Sequence, residues 1–239
     1  MVGKGQEDMK YQKLGGGFIK KREKRVVGLF IDGTGLDRAT RRINRKVDMS
    51  GLVRGVTSGI APVVARYYTL VPYEDDSRQR AFLDAVAKAG LSVIVKRLPP
   101  KGITRQVSID LEMAADMVAF AHGLTSFSKE NEYMPVDSAS RASSIHTPAQ
   151  FVRRQQAEIA AQSQEEESPA EQAIPDIKTA PRSIVVVCPS REIAYPLTLI
   201  KDISADTTTA DFGQFNTGDV LKSAQKWIDL SDSETIWRD

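Results

Sequence analysis

The sequence predicts an α/β fold, a three-layer arrangement with a mainly parallel five-stranded sheet between layers of helix. Three observations predict it. Short apolar runs bounded by polar residues recur along the chain, and such runs fit strands buried on both faces. Amphipathic helical segments lie between them, and strand alternating with helix points to a parallel sheet. The chain has 239 residues, 41% of them hydrophobic and 27% charged, enough to bury one large core.

The elements follow in order. "VVGLFI" (Val26–Ile31) is a continuous apolar run between Arg25 and Asp32, expected as the first strand. Asp37 to Lys46 is polar and helix-compatible. "PVVARYYTL" (Pro62–Leu70), rich in Val and Tyr, reads as the second strand. Asp75–Gly90 starts acidic, carries Phe82, Leu83, Val86 and Ala89, and ends in glycine, which marks an amphipathic helix. Leu91–Leu98 is the third strand. Ser108–Ala121 is a helix with Ser108 as its expected N-cap. Ser183–Cys188 is the next strand, and Arg191–Ser204 a helix in which Pro196 marks a kink or the first turn. Asp206–Phe212 is the fifth strand. A closing helix is expected over Asn216–Leu230, with Val220, Leu221, Ala224, Trp227 and Ile228 on one side.

Composition bounds the rest. Net charge is only +2, so any nucleic-acid surface rests on charge distribution. Residues 1–25 carry eight Lys and Arg against three acids and read as a basic, flexible arm. Residues 122–182 turn to Ser, Gln, Glu, Ala and Pro and read as a low-complexity, partly disordered insertion with a short helix near 151–161. Residues 233–239 read as a tail. A single cysteine, Cys188, excludes an internal disulfide framework and a Cys-rich zinc site, and it reads as a buried small hydrophobe. The start shows no signal-peptide core and no run spans a bilayer, so a cytoplasmic protein is expected. His122 and His146 suggest no triad, and no Gly-Lys-Ser/Thr phosphate loop is present.

In a parallel α/β sheet, ligands sit at the carboxyl ends of strands where the strand order reverses. The segments after Ile31, Leu98 and Cys188 are therefore the places to search. Asp32 heads the first. Asp-Gly is a common turn pair, so Asp32 reads as a strand-ending turn or as a ligand.

Several blocks resemble the NYN domain, a branch of the PIN-like ribonuclease superfamily. They are "LFIDGTGL" (Leu29–Leu36), Val64–Pro99 with its Arg-Tyr-Tyr stretch, "SIDLEMAADMV" (Ser108–Val118), "VVVCPSREIAYPL" (Val185–Leu197) and "VLKSAQKWIDLSD" (Val220–Asp232). The resemblance implies a Rossmann-like, PIN-like fold over 26–121 and 183–232. It also implies a metal-dependent ribonuclease that hydrolyses RNA phosphodiester bonds in RNA processing or decay, using Mg²⁺ or Mn²⁺. Carried over by position, Asp32, Asp110 and Asp116 would hold the metal and act in catalysis, with Glu192 as a fourth catalytic group and Glu112 a further candidate. The pattern also departs. Gly35 stands where the family has asparagine, Val107-Ser108 where it has Lys-Gly, and Ser190 and Glu192 where it has paired aspartates. The alternative is a catalytically inactive domain of the same fold that binds RNA or a protein.

Arg38, Arg41, Arg42, Arg45 and Lys46 recur at three- and four-residue spacing, giving one basic helix face beside Asp32. With Lys20, Lys21, Arg22, Lys24 and Arg25 they are the expected RNA contacts. Tyr67 and Tyr68 offer rings for base stacking or for the core. Beyond RNA, the expected partners are a protein meeting the 122–182 insertion and a further copy of the chain; no membrane is expected.

Overall fold

The computed structural model describes the backbone at residues 12–14 and 17–19, and residues 25–74, 77–135, 180–215, 218–232 and 236–238. The expectations for Lys20, Lys21, Arg22 and Lys24, for His146 and for the helix near 151–161 lie outside the described residues. A small antiparallel pair, β1 (Gln12–Leu14) and β2 (Gly17–Ile19), stands apart from the main sheet.

The main sheet has six strands, all parallel. They are β3 (Val26–Asp32), β4 (Val64–Val71), β5 (Ser92–Arg97), β6 (Arg182–Val187), β7 (Asp206–Asp211) and β8 (Lys226–Asp229). Their order is β5-β4-β3-β6-β7-β8, so the chain winds outward from β3 in one direction and from β6 in the other. The sixth strand corrects the sequence reading. The expected closing helix is cut to α6 (Gly218–Ser223), and Lys226–Asp229 pairs with Thr208–Asp211 instead. Trp227 therefore belongs to an edge strand and is 43% exposed.

The other helices are α1 (Gly33–Arg42), α2 (Met49–Val56), α3 (Ser77–Lys88), α4 (Asp110–Ala121) and α5 (Ala194–Asp202). Pro196 sits in the first turn of α5, where its missing N–H leaves no bond unmade. Strand alternation divides β3 between two cores. Val27, Leu29 and Ile31 face Leu36, Leu52 and Val86 from α1–α3. Val26 and Phe30 face Met113, Met117 and Phe120 of α4 and Leu197 of α5. Gly28 makes the second contact close: a Cβ there would meet the Phe120 ring at 2.6 Å.

Two expected boundaries move. The ordered chain continues past residue 121. Asn131–Tyr133 runs along the free edge of β5, with Val95 N–H donating to Asn131 O and Tyr133 N–H to Val93 O. This covers an edge that would otherwise offer unpaired backbone groups. At the far end Ile236 is buried and Trp237 bridges to Val47, so the expected tail packs beside α2.

Candidate active site

A pocket of about 480 Å³ opens at the carboxyl ends of β3 and β6, between the two directions of winding. All three segments singled out from the sequence meet there: Asp32–Gly35, Gln106–Asp110 and Cys188–Arg191.

Asp32 is the last residue of β3 and the N-cap of α1, its Oδ1 accepting the Gly35 N–H at 2.9 Å. Turn residue and site residue thus coincide. Asp32 is 6% exposed. Burial pushes its pKa up to about 6, the charge of Asp110 adds to the rise, and the Gly35 N–H opposes it. Thr34 lines the same pocket, and its buried hydroxyl oxygen has no hydrogen-bond partner.

Asp110 opens α4. Its Oδ1 accepts from Ser190 Oγ at 2.8 Å and its Oδ2 from Ser108 Oγ at 2.5 Å. The N-cap position of α4 is Ile109, one residue later than expected, while Ser108 Oγ accepts the Asp110 N–H. Lys96 of β5 holds this turn by donating to Ser108 O at 2.8 Å and to Glu112 Oε1 at 2.6 Å. Glu112 is thereby engaged away from the pocket.

Two of the predicted acids do not join Asp32 and Asp110. The Asp116 carboxylate is held by Arg66 at 2.6 Å and by the Tyr68 hydroxyl at 2.8 Å, beneath α4. Glu192 is exposed on a one-turn 3₁₀ helix, Arg191–Ile193, outside the pocket lining. Sequence reasoning misses Asp211, which lines the pocket at the end of β7. Burial raises its pKa, opposed by the Phe212 N–H and the Cys188 thiol, both of which donate to it. The signal for it is a strand-terminal carboxylate beside the switch point. Cys188 is buried, and burial followed by the charge of Asp211 raises its thiol pKa well above the ordinary range, which removes it as a nucleophile.

The basic stripe divides. Arg38 and Arg42, one turn apart on α1, line the pocket. Arg41 pairs with Asp37 on the open surface, and the Arg45 guanidinium lies 4.0 Å from the Trp237 ring centroid. Arg25 pairs with Asp206 at the opposite end of the sheet, about 20 Å from Asp32 along β3. Tyr67 and Tyr68 are 1% and 0% exposed, so both rings are core.

The stretch of sequence that carries part of this cleft is similar to a known domain. Residues 26–127 match the NYN domain, a family of the PIN-like superfamily. The matched segment includes Asp32 and Asp110, and the match points to a nuclease-type domain. No curated protein matches the sequence. Among solved structures, a protein of unknown function from Vibrio parahaemolyticus is similar in fold. Its TM-score is 0.58 at 10% identity, over 92% of this chain and 100% of that one.

The geometry explains why position 35 is glycine here and not the asparagine of the NYN pattern. A Cβ on Gly35 would lie 2.2 Å from the Cys188 carbonyl oxygen and 2.9 Å from Asp32 Oδ2. Cys188, with φ of 49°, brings that carbonyl against the helix start. Gly35→Ala is therefore expected to destabilise the protein by about 1–3 kcal/mol. Urea denaturation checks this; an unchanged midpoint would show that Cys188 yields freely.

Does the donor set suit a divalent cation? Among the described residues no three His, Cys, Asp or Glu side chains are grouped to hold one. Mg²⁺ does not require such a cage: it is commonly held by one or two carboxylates, with water and substrate phosphate completing its shell. Asp32 and Asp110 are two such carboxylates lining one pocket. Such a pair would suit a cation that completes its shell with water and substrate phosphate.

Proposed function

We propose that the protein is a metal-dependent ribonuclease of the NYN type, hydrolysing RNA phosphodiester bonds with Mg²⁺ or Mn²⁺. The observation that carries this reading is the pairing of an acidic floor, Asp32 and Asp110, with a basic rim, Arg38 and Arg42, in one pocket. Two carboxylates alone would repel a phosphate, so the floor has a use on RNA only when a cation is bound between the two. Arg38 and Arg42 would neutralise the strand on either side of the scissile phosphate. Asp32 and Asp110 would hold the ion, and Ser108 and Ser190 would fix the Asp110 carboxylate through their hydroxyls. The bound ion supplies Lewis-acid polarisation of the phosphate and an activated water.

One observation favours a second reading, an inactive RNA-binding domain. Ser190 stands where the resemblance has an acid, and its hydroxyl already satisfies Asp110. Labelled single-stranded RNA incubated with the full chain and Mn²⁺ separates the two. The nuclease reading expects cleavage that falls at least 100-fold in Asp32→Asn and Asp110→Asn, on the scale of removing one electrostatic group from a reacting centre. Binding without cleavage in the unaltered protein supports the second reading; cleavage indifferent to both substitutions sinks the first.

A further inference from the structure

We propose that Arg191 is a phosphate contact for the RNA strand, holding it from the wall of the cleft opposite Arg38 and Arg42. This deepens the ribonuclease reading and rests on it. Arg191 lines the same pocket as Asp32 and Asp110, yet it lies far in the chain from the basic stripe that the sequence marks. It opens the 3₁₀ turn Arg191–Ile193. Ile193 is buried in the core that also holds Val186 and Leu197, which pins the turn. Ser190, the neighbour of Arg191, donates to Asp110 Oδ1, so the turn is tied to the Asp110 side of the floor. Arg38 stands on α1, which Asp32 caps. Helix α1 packs on one face of the sheet through Leu36 and Ala39, and the Arg191 turn packs on the other through Ile193. The arginines therefore reach the cleft from opposite sides.

The Arg191 side chain is 75% exposed, and its Nε lies 2.8 Å from Asp219 Oδ2 of α6. Its two terminal nitrogens have no partner among the described residues. A guanidinium is a planar fork of N–H donors, and a pair of them side by side matches two oxygens of one phosphate. Asp219 thus steadies the group without using the donors at its tip. Both partners of that pair are exposed, so their attraction is screened by water and salt and offers little resistance to a phosphate. On α1, Arg41 turns to Asp37 and Arg45 to Trp237, which leaves Arg38 and Arg42 as the pocket arginines of that wall. A flexible strand gripped from one wall alone can swing away from the carboxylates. A contact on the second wall holds the phosphate between them over the floor, where orientation counts for the reaction.

The test measures binding of the full chain to fluorescent single-stranded RNA octamers of two unrelated sequences, over a range of salt, with Ca²⁺ as the cation. Arg191→Gln keeps a polar side chain but removes the charge. It is expected to weaken binding to both octamers about 5- to 10-fold near 0.1 M salt, and to flatten the slope of log affinity against log salt by roughly 0.7, the value of one phosphate contact on a single strand. Arg191→Lys is expected to restore the slope and part of the affinity. Arg41→Gln, which removes the same charge from the open surface of α1, is expected to change affinity less than about 2-fold. Melting temperatures of all three are expected to stay close to that of the unaltered protein, since both side chains are largely exposed. A loss confined to one sequence would make Arg191 a base contact and overturn the assignment, as would a loss no larger than that of Arg41→Gln. Affinity and slope unchanged in Arg191→Gln, beside a clear loss in Arg38→Gln, would overturn the proposal while leaving the ribonuclease reading intact. Failure of the unaltered protein to bind either octamer would overturn the ribonuclease reading itself.

Discussion

Replacing Asp116 with alanine is expected to destabilise the protein by about 3 kcal/mol, measured by urea denaturation at pH 7. Arg66 is 5% exposed, so its guanidinium is anchored inside the sheet-helix interface. Asp116 Oδ2 receives both the Arg66 bond at 2.6 Å and the Tyr68 hydroxyl at 2.8 Å. Removing that oxygen leaves a buried cation without its anion and a buried hydroxyl without an acceptor. The Ser128 carbonyl, 3.3 Å from the other Arg66 nitrogen, and the Phe127 ring, 4.8 Å from the guanidinium carbon, soften the loss without neutralising the charge. The double variant Arg66→Met with Asp116→Leu is expected to recover most of the stability, because an apolar pair of similar size replaces a buried ion pair at little net cost. A metal ligand behaves in the opposite way: its removal abolishes catalysis and spares the fold. A loss of activity in Asp116→Ala with stability unchanged would return Asp116 to the active site.

That contrast shows what the sequence could and could not carry. Buried parallel strands announce themselves, since "VVGLFI" and "SIVVVC" need no partner to be recognised. β8 is an edge strand, its side chains exposed or half-buried, and its conformation comes from the ladder with β7. Its "KWID" lies in a segment whose apolar residues also fit helical spacing, so the local pattern misleads. The short helix α2 escapes notice because Gly51 and Gly55 dilute it, although Asp48 caps it and Leu52 and Val56 lie one turn apart. In the site, Asp32 and Asp110 are legible because the ends of strands and the starts of helices face the switch point. Asp116 is six residues further along α4, roughly 240° around its axis, and so faces elsewhere. Its partner Arg66 is 50 residues away in the chain, a pairing no local pattern reveals.

Asp32→Asn is expected to stabilise the protein above pH 6 by up to about 3 kcal/mol, and on the proposed ribonuclease reading it also lowers cleavage at least 100-fold. Asparagine keeps the Oδ1 that accepts the Gly35 N–H, so the cap survives and only the charge is lost. The folded carboxyl titrates near 6 against 3.8 for the free group, because burial and the charge of Asp110 disfavour ionisation. The folded state therefore holds its proton more tightly than the unfolded state. Stability contributed by that proton is present below pH 3.8, falls as pH rises from 3.8 to 6, and is gone above 6. The variant has no such slope, so the gap between the two proteins opens across that window and stays constant beyond it. Melting curves from pH 4 to pH 8 for both proteins measure it directly. Millimolar Mn²⁺ is expected to narrow the gap at pH 7.5, since the cation stabilises only the protein that retains the carboxylate pair. A variant less stable than the parent at pH 7.5, or a gap independent of pH, would show that Asp32 is a capping residue alone. A gap that opens with pH and closes with Mn²⁺ identifies a carboxylate kept buried at the expense of stability, as expected of a group retained to bind a cation.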